Sequence, residues 1–563
     1  MDWEKIVTQG ETFAVEFKSD RDLLSDHELI NAVVCMANAE GGWLFIGVED
    51  DGTVTGLHPD HQTRPELLAA LVENRTVPSL TVDVRFEQLP AGDDRLPVAI
   101  LGIPASDQVV ASSSARTSIR YLDAHGDPGC RPLYPHELSS WRANRGKMDV
   151  TAQPIAAASW DDLDPVEFAR LRRMIETYRG DTVLLDLNDR ELARALGLVV
   201  PSGDVLVPTM AGLLLVGQES ALQDHVPTHE VAFQVLHGTE VTVNQFYRWP
   251  LLRTVERILE GFELRNEERE VNVGLFRVGI PAYDPRGFRE ALNNALTHRD
   301  YHNLGAVHVQ LYEDRVMISN PGGFVHGVRP DNILRVGPRP RNPRLADCFK
   351  RIGLVERTGR GVNIIYAGQL RNGRRPPSYE RSTEKNVIVT LYGGPADLDF
   401  VQLILNHEDE RGRALSVTEL LILNHVYRER EVDTPTASQI TQLPEAEVRT
   451  TLEGLVESGL LERRGARRSR TYHLSAGVYR EMGKPAAYVR TRGFERLQME
   501  QMILQYVEAH GEIARRDVVN LCRVSEHQAG YLLKKLVERG ELRLVGKGRG
   551  AHYVPQETRK NSE

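Results

Sequence analysis

In the segment FREALNNALTHRDY, Glu290 and Asn294 stand four residues apart and His298 follows four later, so a helix there carries all three on one face. A carboxylate that orients water beside an amide oxygen that ligates Mg²⁺ suits nucleotide chemistry. Downstream, Asn320-Pro321-Gly322-Gly323 and Thr358-Gly359-Arg360-Gly361 form glycine loops whose backbone N–H groups can approach phosphates closely, because glycine has no Cβ. A second set opens the chain. In ETFAVEFKSD, strand alternation puts Glu16 and Lys18 on one face, with Glu11 upstream, and Glu49, Asp50 and Asp51 close the next strong strand. Carboxylates from neighbouring strands can converge on a divalent metal that polarises a phosphodiester. The plain alternative is a solvated face with a surface Glu–Lys pair.

A third set lies at the C-terminal end. Residues 461–563 hold 21 basic and 12 acidic side chains, although the whole chain of 563 residues carries a net charge of −10. An acidic body with a basic end suits contact with nucleic acid. The helix after Ser525 offers His527, Gln528, Tyr531, Lys534 and Lys535 to solvent, with Leu532, Leu533, Leu536 and Val537 as its buried stripe. Lys547 and Arg549 sit in a glycine-flanked loop suited to phosphate contact. An earlier block repeats the pattern. Its helix PEAEVRTTLEGLVESG is acidic (Glu445, Glu447, Glu453, Glu457), and its loop carries Arg463, Arg464, Arg467, Arg468 and Arg470. In both blocks a short helix, a turn, an amphipathic helix stopped by glycine (Gly459, Gly540) and a basic β-hairpin follow one another, the order of a winged-helix module.

The elements that must position these groups are legible in outline. The length predicts several domains. Ser25-Asp26-His27-Glu28 starts a helix that Gly41-Gly42 stops, WLFIGVE and TVTGL form a hairpin about Asp51-Gly52, TVDVRFEQL and PVAILGIP add strands, and TSIRYLD is an edge strand. TAQPIAAAS, residues 151–159, has linker composition. Helices follow in LDPVEFARLRRMIETY and DRELARALG, AGLLLVG is expected as a short buried strand, and AVHVQLYE, RVMISN and NVIVTLYG are strands. Four scattered cysteines make neither a disulfide framework nor a zinc-ligand pair, which points to a reducing, cytoplasmic setting. No apolar run is long enough to span a bilayer, and the N-terminus lacks the order of a signal peptide.

The string E-x4-E-F-K, followed by NAVVCMANAEGGWLFIGVEDDG, resembles the Schlafen/AlbA-type domain over about the first 140 residues, with Asn38, Gly41, Gly42, Gly47 and Gly52 at the positions of that pattern. The resemblance implies a Glu11–Glu16–Asp50 set that holds a metal (Mg²⁺ or Mn²⁺) and cleaves structured RNA. The run EALNNALTHRDY, DRVMISNPGGF, RNPRLADCF and VERTGRGVNII resembles the GHKL-like ATP-binding fold, and within it the RecG C-terminal-like group that is joined to Schlafen/AlbA-type domains. By that resemblance Glu290 activates water, Asn294 ligates Mg²⁺, Asn320 and Gly322 lie by the adenine, and Gly359 and Gly361 by the phosphates. His298 and Gly323 complete the expected ATP set. Where the GHKL pattern has an aspartate before its glycines, this chain has Asn320. No G-x-x-x-x-G-K-[ST] loop occurs, which argues against a motor helicase.

The expected protein is multidomain, α/β and α+β. A Schlafen/AlbA-type domain spans 1–147, a GHKL-like α/β sandwich with a helical lead-in 160–393, and winged-helix modules 397–478 and 493–556. Three functions are open at this point: a nucleotide-responsive DNA-binding transcriptional regulator, a metal-dependent nuclease of phage defence, or an oligomeric scaffold with vestigial sites. Lys18, Gln528, Tyr531, Lys534, Lys535, Lys547 and Arg549 are the expected nucleic-acid contacts. Duplex DNA leads structured RNA as partner, a homo-oligomer is expected, and no membrane contact.

Overall fold

The computed structural model describes residues 2–556 apart from 63–64, 124–125, 274–275, 356–359, 466–469, 483–495, 523–525 and 547–550. The chain divides into two compact units, Met1–Asp397 and Leu398–Glu563.

The first unit begins with a four-stranded sheet ordered Val15–Lys18, Gly41–Ile46, Asp94–Pro104, Asp83–Ala91. The first two strands run parallel and the others antiparallel. The helix Asp26–Ala37 makes the parallel crossover. Ser25 caps it by accepting from the Glu28 N–H at 3.2 Å, and its hydroxyl donates to the Glu28 carboxylate at 2.9 Å. Val33, Val34 and Met36 pack on Leu44, Ile46, Ala99 and Leu101 to form the core. Gly41 and Gly42 open the strand after the helix. Their φ angles are +72° and +138°, and a Cβ would fall 2.4 Å from the Ile103 carbonyl oxygen at the first and 2.2 Å from that of Ala14 at the second.

Several expectations are corrected. The hairpin about Asp51-Gly52 reduces to a turn and one bridge, Val48 to Val54, because the Thr55 and Gly56 N–H groups both return to the Gly47 carbonyl and curl the chain away. Among the described residues, the strand Ser118–Leu122 pairs only with Pro128–Pro132, in a separate two-stranded ribbon. That ribbon holds Cys130 in a disulfide with Cys35 of the crossover helix, so two of the four cysteines are paired. Residues 151–159 are no loose linker. Thr151 is fully buried, and backbone hydrogen bonds tie Ile155 to Pro208 and Met210 to Gln153. AGLLLVG lies in a helix, Met210–Val216, capped by the Thr209 hydroxyl and packed against helices Pro165–Thr177 and Leu251–Glu263.

The second sheet of this unit has five strands, ordered Glu240–Tyr247, Val231–His237, Val307–Leu311, Arg315–Pro321, Asn386–Tyr392. Only the Val231–His237 and Val307–Leu311 pair is parallel. The helix Pro285–His298 packs on the strands Arg315–Pro321 and Asn386–Tyr392 and beside the helices Gly361–Arg371 and Pro343–Ile352.

The second unit repeats one order of elements. Helix Val417–Glu429, strand Val432–Asp433, helices Thr434–Thr441 and Glu445–Glu457, and strands Leu461–Arg464 and Thr471–Leu474 form the first block. Helix Arg496–His510, strand Ile513–Ala514, helices Arg515–Cys522 and Glu526–Glu538, and strands Leu542–Val545 and His552–Pro555 form the second. In each, the last strand lies between the other two. Leu532, Leu533 and Leu536 are buried with Ile503, Val507 and Val518, as the apolar stripe requires. No helix among the described residues is long and apolar enough to cross a membrane.

Candidate functional site

A cavity of about 500 Å³ opens between the helix Pro285–His298 and the sheet. Glu290, Asn294, Thr297 and His298 line it from successive turns of that helix, and Ile318, Asn320, Val387 and Val389 line it from the strands. The neighbouring Asn293 faces the other way, fully buried, and donates to the Leu354 carbonyl at 2.8 Å, so of the two adjacent asparagines only Asn294 serves the cavity. Burial and the nearby Arg341 guanidinium press the His298 imidazole down to about 4, leaving it neutral at physiological pH.

The two ends of the cavity differ. At the His298 end, the buried Arg341 donates to the carbonyls of His298 (3.0 Å) and Gly323. Burial lowers its pKa to about 10, which still leaves it charged. Asn320 is buried and donates through Nδ2 to the Pro321 carbonyl at 3.2 Å. Gly323 is in the wall. Gly322 is not, and a Cβ on it would fall 1.8 Å from Arg341 Nη1. At the Glu290 end, Gly361 opens the helix Gly361–Arg371, and a Cβ on it would meet Glu290 Oε1 at 1.9 Å. Arg360 joins the wall there, while Gly359 lies outside the described residues. The helix Pro343–Ile352 adds Asp347 and Lys350, and the segment before it adds Arg339. Tyr379, buried close to Glu290, has its phenol pKa raised by burial and by neighbouring negative charge. Sequence reasoning missed Tyr379, Lys350 and Arg339, which belong to no motif around the site helix.

The N-terminal carboxylates form a different kind of site. Glu11 accepts from the Phe17 N–H at 2.7 Å, and burial raises its pKa, with the Glu16 carboxylate adding to the rise. Glu16 binds Lys18 through one oxygen and Arg120 through the other. The Arg120 side chain is 1% exposed and also donates to the carbonyls of Thr12 (2.8 Å) and Val15 (2.9 Å). Asp50 lies exposed in the turn, while its neighbour Glu49 accepts from Ser19 (2.9 Å) and Thr55 (2.6 Å). Among the described residues no three His, Cys, Asp or Glu side chains gather as a metal site. The structure thus joins Glu11, Glu16 and Lys18, adds Arg120, and leaves Asp50 apart.

Comparison with known proteins agrees with this division. Residues 11–125 match the family described as "Schlafen, AlbA_2", and residues 305–391 match the one described as "Putative ATP-dependent DNA helicase recG C-terminal". The chain carries a Schlafen/AlbA_2 domain and a RecG C-terminal, HATPase-like domain. Taken together, the two domains point to ATP and nucleic-acid binding. Residues 141–232 match a domain of unknown function, DUF8451. No curated protein matches the chain. Among solved structures, the DIP2311 protein from Corynebacterium diphtheriae is similar at 21% identity and a TM-score of 0.49, over 96% of this chain and 94% of that one. The mRNA-binding domain of elongation factor SelB from E. coli, solved with SECIS RNA, matches at 14% identity and a TM-score of 0.13, over 25% of this chain and all of that one.

The helix with Glu290 and Asn294 precedes the residues matched to the HATPase-like domain, yet it packs on that domain's strands and supplies one wall of its cavity. In the second unit, Tyr531 is half exposed, Lys534 is 77% exposed, and the Lys535 ammonium lies 5.7 Å from the Tyr531 ring centroid. Gln528 is exposed on the same helix. Lys547, Arg549 and the His527 side chain lie outside the described residues. In the first block, Glu453 takes Arg463 (3.1 Å), Arg470 (3.5 Å) and the Tyr472 hydroxyl (3.1 Å), so the acidic helix engages two arginines of its own β-hairpin.

Proposed function

We propose that this chain is a nucleotide-responsive DNA-binding protein and acts as a transcriptional regulator, with ATP in the cavity of the HATPase-like domain and duplex DNA on the second unit. The observation that supports it is the convergence of Glu290 and Asn294, one helical turn apart, on a cavity of nucleotide size. Asn320 spends its amide N–H on Pro321, which leaves its Oδ1 to accept from the adenine amino group. Lys350, Arg360 and Arg339 supply cations for the phosphates. Asn294 would hold Mg²⁺ through its side-chain oxygen, and the ion would supply neutralisation of phosphate charge. Glu290 orients the attacking water, and Gly361 keeps space beside its carboxylate.

The repeated blocks of the second unit are read as winged-helix modules. The second, with Gln528, Tyr531 and Lys534 exposed and Lys535 half-buried beside Tyr531 on its last helix, serves DNA. The first has Arg463 and Arg470 drawn onto Glu453 and suits protein contact. The nuclease reading has less support, because both oxygens of Glu16 are engaged by Lys18 and Arg120.

Calorimetry tests the proposal. ATP with Mg²⁺ binds the wild type, Asn294→Ala loses the Mg²⁺-dependent part, and Glu290→Ala keeps binding but loses hydrolysis. Mobility shifts of duplex DNA then differ with and without ATP. No ATP binding at millimolar concentration overturns the nucleotide reading.

A further inference from the structure

The ribbon Ser118–Leu122/Pro128–Pro132 touches three parts of the first unit. Arg120 clamps Glu16 of the N-terminal sheet, and Cys130, its partner in the ribbon register, is bonded to Cys35 of the crossover helix. At the ribbon's far end, the Leu122 N–H donates to Glu384 Oε1 at 3.0 Å. The backbone around Glu384 in turn holds the cavity loop. The Gly323 N–H donates to the Glu384 carbonyl at 3.1 Å, and the Gly322 N–H to the Lys385 carbonyl at 2.7 Å. This approach is tight, since a Cβ on Gly323 would fall 2.4 Å from the Glu384 carbonyl oxygen. A connected path therefore runs from the disulfide through the ribbon and Glu384 to a wall of the cavity.

The two strands are tied down unequally. Ser118–Leu122 is held by Arg120 and by Asn38, whose amide donates to the Ser118 carbonyl at 2.9 Å. Pro128–Pro132 has its ladder to that strand, the local Arg131–Glu137 pair and the disulfide. Cys130 is exposed while Cys35 is fully buried, so a solution thiol reaches the bond at Cys130.

We propose that Cys35–Cys130 is a redox modification site that sets how firmly the Gly322-Gly323 loop is held, and through it the nucleotide affinity of the cavity. The affinity part rests on the nucleotide reading above. The reductant is a dithiol. Its thiolate attacks Cys130 Sγ, the S–S bond breaks, and Cys35 leaves with the electron pair and takes a proton. The second thiol then displaces Cys130, which also takes a proton, so the protein gains two thiols and the dithiol becomes a disulfide. With Pro128–Pro132 released, Leu122, at the end of its strand beyond Arg120, loses its ladder partner Pro128, and the Leu122–Glu384 hydrogen bond and the two glycine amides loosen with it.

The test uses the full chain, air-oxidised or treated with dithiothreitol, together with Cys130→Ser, a change at an exposed position. Thiol counting on the denatured oxidised protein finds two free cysteines, Cys348 and Cys522. Reduction and Cys130→Ser each speed hydrogen exchange in peptides covering Gly322 and Gly323. ATP binds about fivefold more weakly, the equivalent of losing one hydrogen bond of roughly 1 kcal/mol. Cys130→Ser no longer responds to dithiothreitol. Four free thiols in the oxidised protein, or identical exchange in both redox states, overturn the proposal. If neither state binds ATP, the nucleotide reading falls while the exchange data still decide the redox site.

Discussion

Gly361→Ala isolates the role of Glu290 with a single methyl group. The added carbon would lie 1.9 Å from Oε1 of Glu290 and 2.7 Å from its carboxyl carbon. An ordinary carbon–oxygen contact is about 3.3 Å, so the carboxylate or the start of the helix Gly361–Arg371 must move by roughly 1.4 Å. Glu290 is 4% exposed on a helix packed against its neighbours, which leaves the carboxylate little room to turn aside. A misplacement of about 1 Å in a water-orienting group costs on the order of a hundredfold in rate, or about 2.7 kcal/mol of barrier. ATP affinity changes far less, because the group acts on water. Without the clash, alanine at a helix start would be neutral or slightly stabilising. Steady-state ATPase rates and calorimetric Kd, measured on the same protein, separate these effects. A variant with wild-type turnover refutes the assignment of Glu290 as the base. One that binds ATP more than tenfold weaker places the carboxylate in binding instead.

Arg120→Ala removes the buried partner of Glu16, and breaking a buried pair costs about 3–5 kcal/mol. Because Lys18 keeps one oxygen engaged, the expected loss is at the lower end, about 3 kcal/mol, read as faster hydrogen exchange in the strand Val15–Lys18. Acid destabilises the first unit in two stages. Burial holds His229 and His298 neutral, with pKa values near 4 against an ordinary 6.5, so their contribution is full above pH 6.5 and is lost as pH falls toward 4. Asp300 is held down to about 2 although burial opposes it, because hydrogen bonds from His302 and Ser140 and the Arg341 charge outweigh burial. Its contribution goes between pH 3.8 and about 2. Urea midpoints followed between pH 7 and pH 2 reveal both stages, and a flat profile from pH 6.5 to 4 contradicts the histidine assignment. Changing Lys534 and Lys535 to alanine weakens duplex binding and lowers the salt slope by about 0.9 for each phosphate that is no longer neutralised. An unchanged slope moves recognition off that helix.

What the sequence made legible was local. The face shared by Glu290, Asn294 and His298 follows from helical spacing, and the cavity wall has all three on it. The buried stripe Leu532, Leu533, Leu536 follows from the same periodicity. Three misses have separate causes. AGLLLVG is a fully apolar run of strand length, for which periodicity cannot separate strand from helix, and the Thr209 cap with packing on two helices decides the matter. Cys35 and Cys130 are 95 residues apart, and spacing alone does not pair them. Segment 151–159 has the composition of a linker, but three backbone hydrogen bonds, through Thr151, Gln153 and Ile155, pin it to residues 208–211.

Arg120 is the most instructive of the missed residues. In TSIRYLD it reads as one polar residue of an edge strand, and nothing local marks it as the counter-ion of a glutamate 104 positions earlier. Yet it decides what the N-terminal carboxylates can do. A Glu–Lys pair open to water could exchange its lysine for a divalent ion at little cost. A Glu16 whose second oxygen is held by a guanidinium that is 1% exposed cannot do so without leaving that guanidinium buried and uncompensated. Glu16 is therefore not open to metal in the way the bare motif suggested.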